Sequence, residues 1–396
     1  MKVVVVARHY WPKSGAATVR LGALVEAWVV AGDEVVVVSN RLPGQSRRGA
    51  GPHGETIVRI AGDNETGVGV RRVLELLWFA MGAFRELRRL KADVVICDPP
   101  PTVGLAALLA RSPVVVYYIA DSWAEMLGEG GGSISRLLGR AVAHLENSVL
   151  RHAATVIAVR ENLAVIARHA GSTDTVVAPY GTDLETFRHD GEIWDDPWGG
   201  HLPYFLYAGN YGVIQGGHVF LDAARELWRE GESFGLVFMG YGSDESRVQK
   251  LAIEMPDVFV SLPLVPASIT AAAYRGALAG LASMRPVDVA SETRPAKALA
   301  SIASGCPIIF AGTGTFATEV SENRLGRAAE WNPDAVADVM RELLATAASM
   351  DGDSMSAWRR DIADFGRQHL DMQPVARMLR KHVIDRGTAL GALSPQ

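Results

Sequence analysis

Runs of consecutive apolar, mostly β-branched residues recur along the chain and alternate with stretches of helical spacing. Residues 2–7 and 35–39 are two such runs. Between them Leu21, Leu24, Val25 and Trp28 fall on one helical face, and Gly32 stands where that helix can close. The pattern predicts a β-α-β unit of a parallel sheet, because strands buried on both faces read as continuous apolar runs. Residues 93–97, 114–119, 155–159 and 176–179 continue the series, with a helix predicted over 135–151. Residues 41–64 are rich in Gly, Arg, Pro and Gln and read as a long loop with one short strand at 56–60. A second series starts at Tyr204, with strands at 205–209, 234–239, 258–262, 280–283 and 308–310. Helices are predicted over 219–228, 333–350 and 357–386.

The polar, Trp- and Asp-rich piece between the two series reads as a linker. The expected organisation is therefore α/β, with a Rossmann-like domain over 1–188, a linker over 189–203 and a second Rossmann-like domain over 204–370. A C-terminal helix and tail over 371–396 are free to pack back on the first domain.

Composition narrows the function classes. A chain of 396 residues, 48% hydrophobic and 21% charged, can bury two cores, and a formal net charge of −5 gives no bulk attraction to nucleic acid. Cys97 and Cys306 lie in or beside strand-like runs, which suggests buried thiols in a reducing compartment. The first apolar run is too short for an export signal and is interrupted by Arg8 and His9. The longer apolar stretches are broken by charges and prolines, so no spanning helix is expected and the expected location is cytoplasmic. Ten scattered histidines, with no His-Glu-x-x-His and no Cys-x-x-Cys, give no metal site. Residues 70–91 place Leu74, Leu77, Trp78, Met81, Phe84 and Leu87 at helical spacing among arginines. Such a helix either packs on the core or touches a membrane surface peripherally.

Candidate chemistry concentrates in residues 291–310. Glu292, Arg294 and Lys297 crowd around Pro295, a good first helical residue, and Gly305 with Pro307 ends the helix before a strand. A helix start exposes unpaired N–H groups, and added cations make it a site for a diphosphate. The local pattern also fits an ordinary capped helix with solvated charges. Two small-residue turns, one around Gly15 and one over 209–217, follow strands and let backbone approach a ligand. Asp121 and Glu125 stand at the end of the 114–119 strand, where a carboxylate can orient or deprotonate an acceptor hydroxyl or cap the next helix. The glycine-rich loop over 128–133 can close over substrate.

The 291–310 segment resembles the signature of family-4 glycosyltransferases, retaining enzymes of the GT-B fold. Glu292, Pro295, Lys297, Ala303, Gly305 and Pro307 match, whereas the position of the second motif glutamate is Ala300. Asp121 to Glu125 resembles the Asp-Leu-Trp-Pro-Glu of the aminosugar-transferring branch, and residues 180–187 resemble the segment that closes the first domain. Residues 207–216 are similar to the family's Tyr-Ala-Gly-x-x-Gly-Arg turn, with Val213 and Gln215 where diphosphate-binding cations stand. Residues 240–245 match the Gly-x-Gly-x-Glu turn.

The resemblance implies two domains facing across a cleft and transfer from a nucleotide sugar to a hydroxyl or amine with retention, without a metal or other cofactor. Asp121, Glu292 and Lys297 would be catalytic. Gly15, Asn210, Tyr211, Gln215, Gly216, Gly240, Tyr241, Val265, Arg285, Arg294 and Pro295 would hold the donor. The implied partners are the nucleotide sugar and a small-molecule or lipid-linked acceptor. Ala300, Val213 and Gln215 remove donor contacts, which keeps open a catalytically silent homologue, or an enzyme with an unusual donor or non-glycosidic coupling. Heavy Ala, Arg, Gly and Val usage suggests a GC-rich bacterial genome, with natural-product (antibiotic) or surface-glycan biosynthesis as the setting.

Overall fold

In the computed structural model, which describes residues 1–13, 15–61, 70–123, 133–286 and 293–394, the first valine run becomes β1 (Lys2–Val6) at the centre of a sheet. The chain continues through α1 (Ala16–Val30), β2 (Glu34–Asn40), β3 (Arg48–Ala50), β4 (Thr56–Ile60), α2 (Val70–Leu90) and β5 (Val94–Cys97). It then forms α3 (Pro101–Leu109), β6 (Val114–Ile119), α4 (Ser133–His152), β7 (Thr155–Ala158), α5 (Glu161–His169) and β8 (Thr175–Val177). The strand order is β3-β4-β2-β1-β5-β6-β7-β8, parallel except for β3, which pairs antiparallel with β4. Val4 is in register with Val36 on one side and Val95 on the other, and Val3 to Val6 are fully buried. Helices cover both faces, so no polar alternation survives in these strands. The order reverses between β1 and β5, and ligands of open α/β sheets collect at the strand carboxyl ends beside such a reversal.

The second sheet repeats this logic. Its elements are β9 (Tyr204–Asn210), α6 (His218–Arg229), β10 (Gly235–Tyr241), α7 (Glu245–Glu254), β11 (Phe259–Leu262), α8 (Ala267–Gly276) and β12 (Ala279–Ser283). After them come α9 (Ala296–Ala303), β13 (Ile308–Ala311), α10 (Thr315–Glu322), β14 (Gly326–Ala329), α11 (Pro333–Ser349) and α12 (Gly352–His369). All pairs are parallel in the order β11-β10-β9-β12-β13-β14, and the reversal lies between β9 and β12. Tyr207 stacks on Phe238, with centroids 4.8 Å apart and planes inclined by 11°, in the core of this unit.

Two compact units result, Met1–Tyr180 with Met372–Gln396, and Gly181–Asp371. The segment read as a linker belongs to the second unit, because Trp194 and Trp198 pack on Tyr204 at 6.0 and 6.1 Å and the Trp198 indole donates to the Asp257 carbonyl. The single helix read over 357–386 is two helices, α12 and α13 (Met372–Ala389). Pro374 has no N–H to continue a helix and suits a first turn, and Thr182 N–H donates to the Leu370 carbonyl at the break. Past that break α13 packs on α1, where Arg380 pairs with Asp33 at 2.8 Å and lies 5.0 Å from the Trp28 ring. The strand β3 lies within the stretch whose composition predicts a loop, and it forms by pairing antiparallel with β4. Cys97 and Cys306 are both buried and free, and among the described residues no helix is long and apolar enough to cross a membrane.

Candidate functional site

In the second unit the carboxyl ends of β9 and β12 meet through backbone. Arg285 N–H, just past β12, donates to the Ile214 carbonyl in the turn after β9 at 3.0 Å. Within that turn the side chains of Asn210 and Gln215 converge over Gly212, where an added Cβ would lie 2.9 and 3.2 Å from their Oδ1 and Oε1. Lys297, on the first turn of α9 behind the Pro295 cap, sends Nζ to the Asn210 carbonyl at 3.1 Å and lies 4.5 Å from the Tyr207 ring centroid. It makes no ion pair with a carboxylate among the described residues. Burial holds its ammonium down to about 7, because desolvation disfavours the charged form. A half-titrated lysine that rests, among the described residues, on a carbonyl and a ring can gain much by meeting an anion.

The Arg285 guanidinium lies 5.2 Å from the Trp331 ring, and Trp331 Nε1 donates to the Gly216 carbonyl at 3.1 Å. His218 meets Trp331 edge-on at 5.2 Å, and its Nδ1 lies 3.1 Å from Asp244. Gly216 is required here: φ is +58°, and a Cβ would stand 2.7 Å from Arg285 Cγ and 2.8 Å from the indole. Gly240 is required for close approach of β10 to β9, since a Cβ would fall 2.1 Å from the Gly209 carbonyl oxygen. Asn210, Gln215, Gly216, Arg285 and Lys297 are therefore gathered along one carboxyl edge.

Of the other residues expected at this site, Tyr211 and Tyr241 sit on the same edge, where Tyr241 is in register with Asn210 and Tyr211 N–H donates to the Tyr241 carbonyl at 3.1 Å. Arg294 is half-buried and donates to Glu319 at 2.6 Å, so its charge already has a partner. Tyr211 is buried and sends its hydroxyl to the Gly240 carbonyl at 3.3 Å and to Glu245. Val265 packs against the apolar cluster around Tyr204 and Met239, while Tyr241 is exposed. Ala300 is buried in that same cluster. Val213 is 63% exposed and Ile214 55%, which gives the turn an apolar tip where the family pattern has a cation. Glu292 lies outside the described residues, as do Glu125 and residues 128–132.

The carboxyl edge of the first unit is built differently. Arg20 of α1 is buried, donates to Asp98 just past β5 and to the Tyr180 hydroxyl at 3.0 Å, and lies 4.4 Å from the Tyr118 ring centroid. Burial pushes the Asp98 carboxyl upward, while the Arg20 charge, its hydrogen bond and Arg8 oppose that shift. Asp121 follows the end of β6, its carboxyl raised by desolvation and by the nearby Asp98 charge against the opposing fields of Arg160 and Arg20. Gly15 is exposed, with open space where a Cβ would stand. Sequence reasoning missed Arg20 and Trp331. An arginine in phase with Leu24 on an apolar helix was the available signal for the first; the second had none.

The chain matches a glycosyl transferase 4-like domain over residues 15–181 and a glycosyl transferases group 1 domain over residues 202–346. A Mycobacterium tuberculosis GDP-mannose-dependent alpha-(1-6)-phosphatidylinositol dimannoside mannosyltransferase is 28% identical over 184 residues, 44% of this chain and 45% of that protein. The match thus spans about half the length of this curated relative. Sucrose-phosphate synthase from Thermosynechococcus elongatus superposes with a TM-score of 0.74 at 16% identity, covering 98% of this chain and 99% of the other. Anabaena HepE, solved with UDP and glucose, gives 0.67 at 14% identity over 97% and 99%. At these identities the likeness speaks to the fold, which is GT-B.

Proposed function

From a chain that carries a glycosyl transferase 4-like domain and a glycosyl transferases group 1 domain on a GT-B frame, we propose a glycosyltransferase that moves a sugar from a nucleotide-sugar donor to a hydroxyl or amine acceptor with retention of configuration. The observation that carries this reading is Lys297, held against the Asn210 carbonyl and the Tyr207 ring with no carboxylate beside it among the described residues. As the glycosidic bond breaks, charge gathers on the leaving diphosphate. Preorganised cations and N–H donors aimed at that charge lower the barrier. Lys297 and Arg285 take this role, with the N–H groups at the start of α9 and the backbone around Gly216 as further donors. The chain's own cations meet the charge in place of a metal.

Asp121 orients the acceptor or takes its proton, since it is a carboxylate at a strand carboxyl end and desolvation raises its pKa. Glu292 orients the sugar hydroxyls. Arg294 supports the start of α9 through Glu319 and does not itself meet the phosphates. The name of the mycobacterial relative favours a lipid-linked acceptor over a small soluble one.

Binding of UDP-, GDP- and dTDP-sugars, followed by assay of nucleoside diphosphate release with and without acceptor, tests the reading. Release coupled to a new glycoside is the expected outcome. Tight binding without release would instead support a silent homologue, the second reading favoured by the apolar tip at Val213 and Ile214.

A further inference from the structure

The two long faces of α2 are used unequally. At about 100° per residue, Leu76, Phe79, Ala83 and Leu87 fall on one side of the helix, and all are buried. On the opposite side Leu74, Leu77, Trp78 and Met81 are 60%, 48%, 58% and 45% exposed. They fall within an arc of about 100°, and Arg85 and Arg88, both exposed, extend the same stripe toward the C-terminal end. Two further arginines flank the stripe through a shared carboxylate, Arg47 at 2.8 Å and Arg89 at 3.9 Å from Glu86. Arg85 lies against Met81 Sδ at 3.5 Å, so the basic half adjoins the apolar half directly.

An exposed face of this kind costs solvation in water and is not needed for the fold, since the opposite face already fills the core. Its two halves fit one partner. The local charge is positive although the chain as a whole carries −5, and the apolar side chains precede the arginines along a single line. We infer that this stripe of α2 docks on the surface of an anionic lipid bilayer, with Leu74, Leu77, Trp78 and Met81 entering the headgroup boundary and Arg85 and Arg88 meeting lipid phosphates.

The topology gives the docking a direction. Since β4, β2, β1 and β5 all run parallel, a helix connecting β4 to β5 starts at the carboxyl edge of the sheet. The apolar half of α2 therefore lies at the edge that carries Arg20, Asp98 and Asp121. Docking holds that edge next to the bilayer.

Co-sedimentation of the full chain with vesicles, in the absence of donor, tests this independently of the transfer chemistry. The chain should bind phosphatidylcholine vesicles containing phosphatidylglycerol and bind phosphatidylcholine alone weakly, with added salt reducing the difference. Leu77→Ser with Trp78→Ser should weaken binding to both by about tenfold or more. Arg85→Gln with Arg88→Gln should weaken anionic binding by roughly twentyfold to thirtyfold, at about fivefold per charge, and leave neutral binding unchanged. Far-UV circular dichroism and nucleotide-sugar binding in solution, expected to match the parent, exclude misfolding. Because Cys97 and Cys306 are buried, a polarity-sensitive dye on a Met81→Cys variant reports from that site and should shift to the blue more on anionic vesicles than on phosphatidylcholine alone. No binding by the parent, or variants that bind as the parent does, would overturn the inference. So would a parent dimer that the serine variants dissolve while vesicle binding persists, since a second copy would then be the occupant.

Discussion

The carboxyl edges of the two sheets hold similar charged groups in opposite states. In the first unit Arg20 is buried against Asp98, bonded to Tyr180 and stacked near Tyr118. In the second, Lys297 and Arg285 rest on a carbonyl and on aromatic rings. The first arginine has its counter-charge within the fold and acts there as structure. The second pair has been drawn partly out of water without a carboxylate among the described residues, which leaves the compensation to a ligand. A saturated cation fixes geometry, whereas an unsaturated one stores binding energy.

The largest effect should come from breaking the saturated side. Arg20→Met removes the cation hydrogen-bonded to the buried Asp98 and leaves Arg8 as its remaining positive neighbour, and should cost about 3–5 kcal/mol in urea unfolding. Asp98→Asn made in the Arg20→Met background should recover part of that loss. If Arg20→Met were neutral, the contrast between the two edges would be wrong at its firmer end.

Lys297→Met should do the reverse, lowering turnover by about 10²–10³-fold while the fold persists. Its effect on stability has a defined sign. The folded pKa of Lys297 lies near 7, below the ordinary value of about 10.4. The unfolded chain therefore binds more protons across that window, and parent stability rises with pH between the two values. The variant should be the more stable protein at pH 6, and its advantage should shrink as pH climbs from 7 toward 10.

A smaller effect would sharpen the same contrast from the other direction. Val213 is exposed on the turn, so Val213→Arg should fold normally and add one charge-assisted bond to a diphosphate. Nucleotide-sugar affinity should rise by about tenfold, the order expected of one such bond after side-chain ordering. Unchanged affinity would mean that the tip of the turn faces away from the donor.

The sheets were legible in the sequence because strands buried on both faces cannot hide their apolar runs, as Val3 to Val6 and Val35 to Val38 illustrate. Lys297 and the two glycine-rich turns were legible because each sits at a fixed offset from a strand or helix end. What escaped depends on contacts between distant segments. Arg20 and Asp98 are 78 residues apart, and nothing local tells a buried arginine from a solvated one. Trp331 joins Arg285 and Gly216 only once β12, β13 and β14 lie side by side. The break between α12 and α13 was within reach, since Pro374 marks it, but the apolar periodicity runs through it and was read as continuous. The same periodicity in α2 was ambiguous between core and surface until burial separated its two faces.

Proton uptake on donor binding tests the unsaturated state of Lys297 most directly. A nucleotide sugar is the right probe, because its diphosphodiester does not titrate near neutrality, unlike a free nucleoside diphosphate. Calorimetry in buffers of different ionisation enthalpy should find proton uptake on donor binding that is larger at pH 8 than at pH 6, as a lysine with a free pKa near 7 becomes fully charged against the diphosphate. The uptake should vanish in Lys297→Met. Donor binding at pH 8 with no proton uptake, or with the same uptake in that variant, would mean that the lysine does not meet the diphosphate.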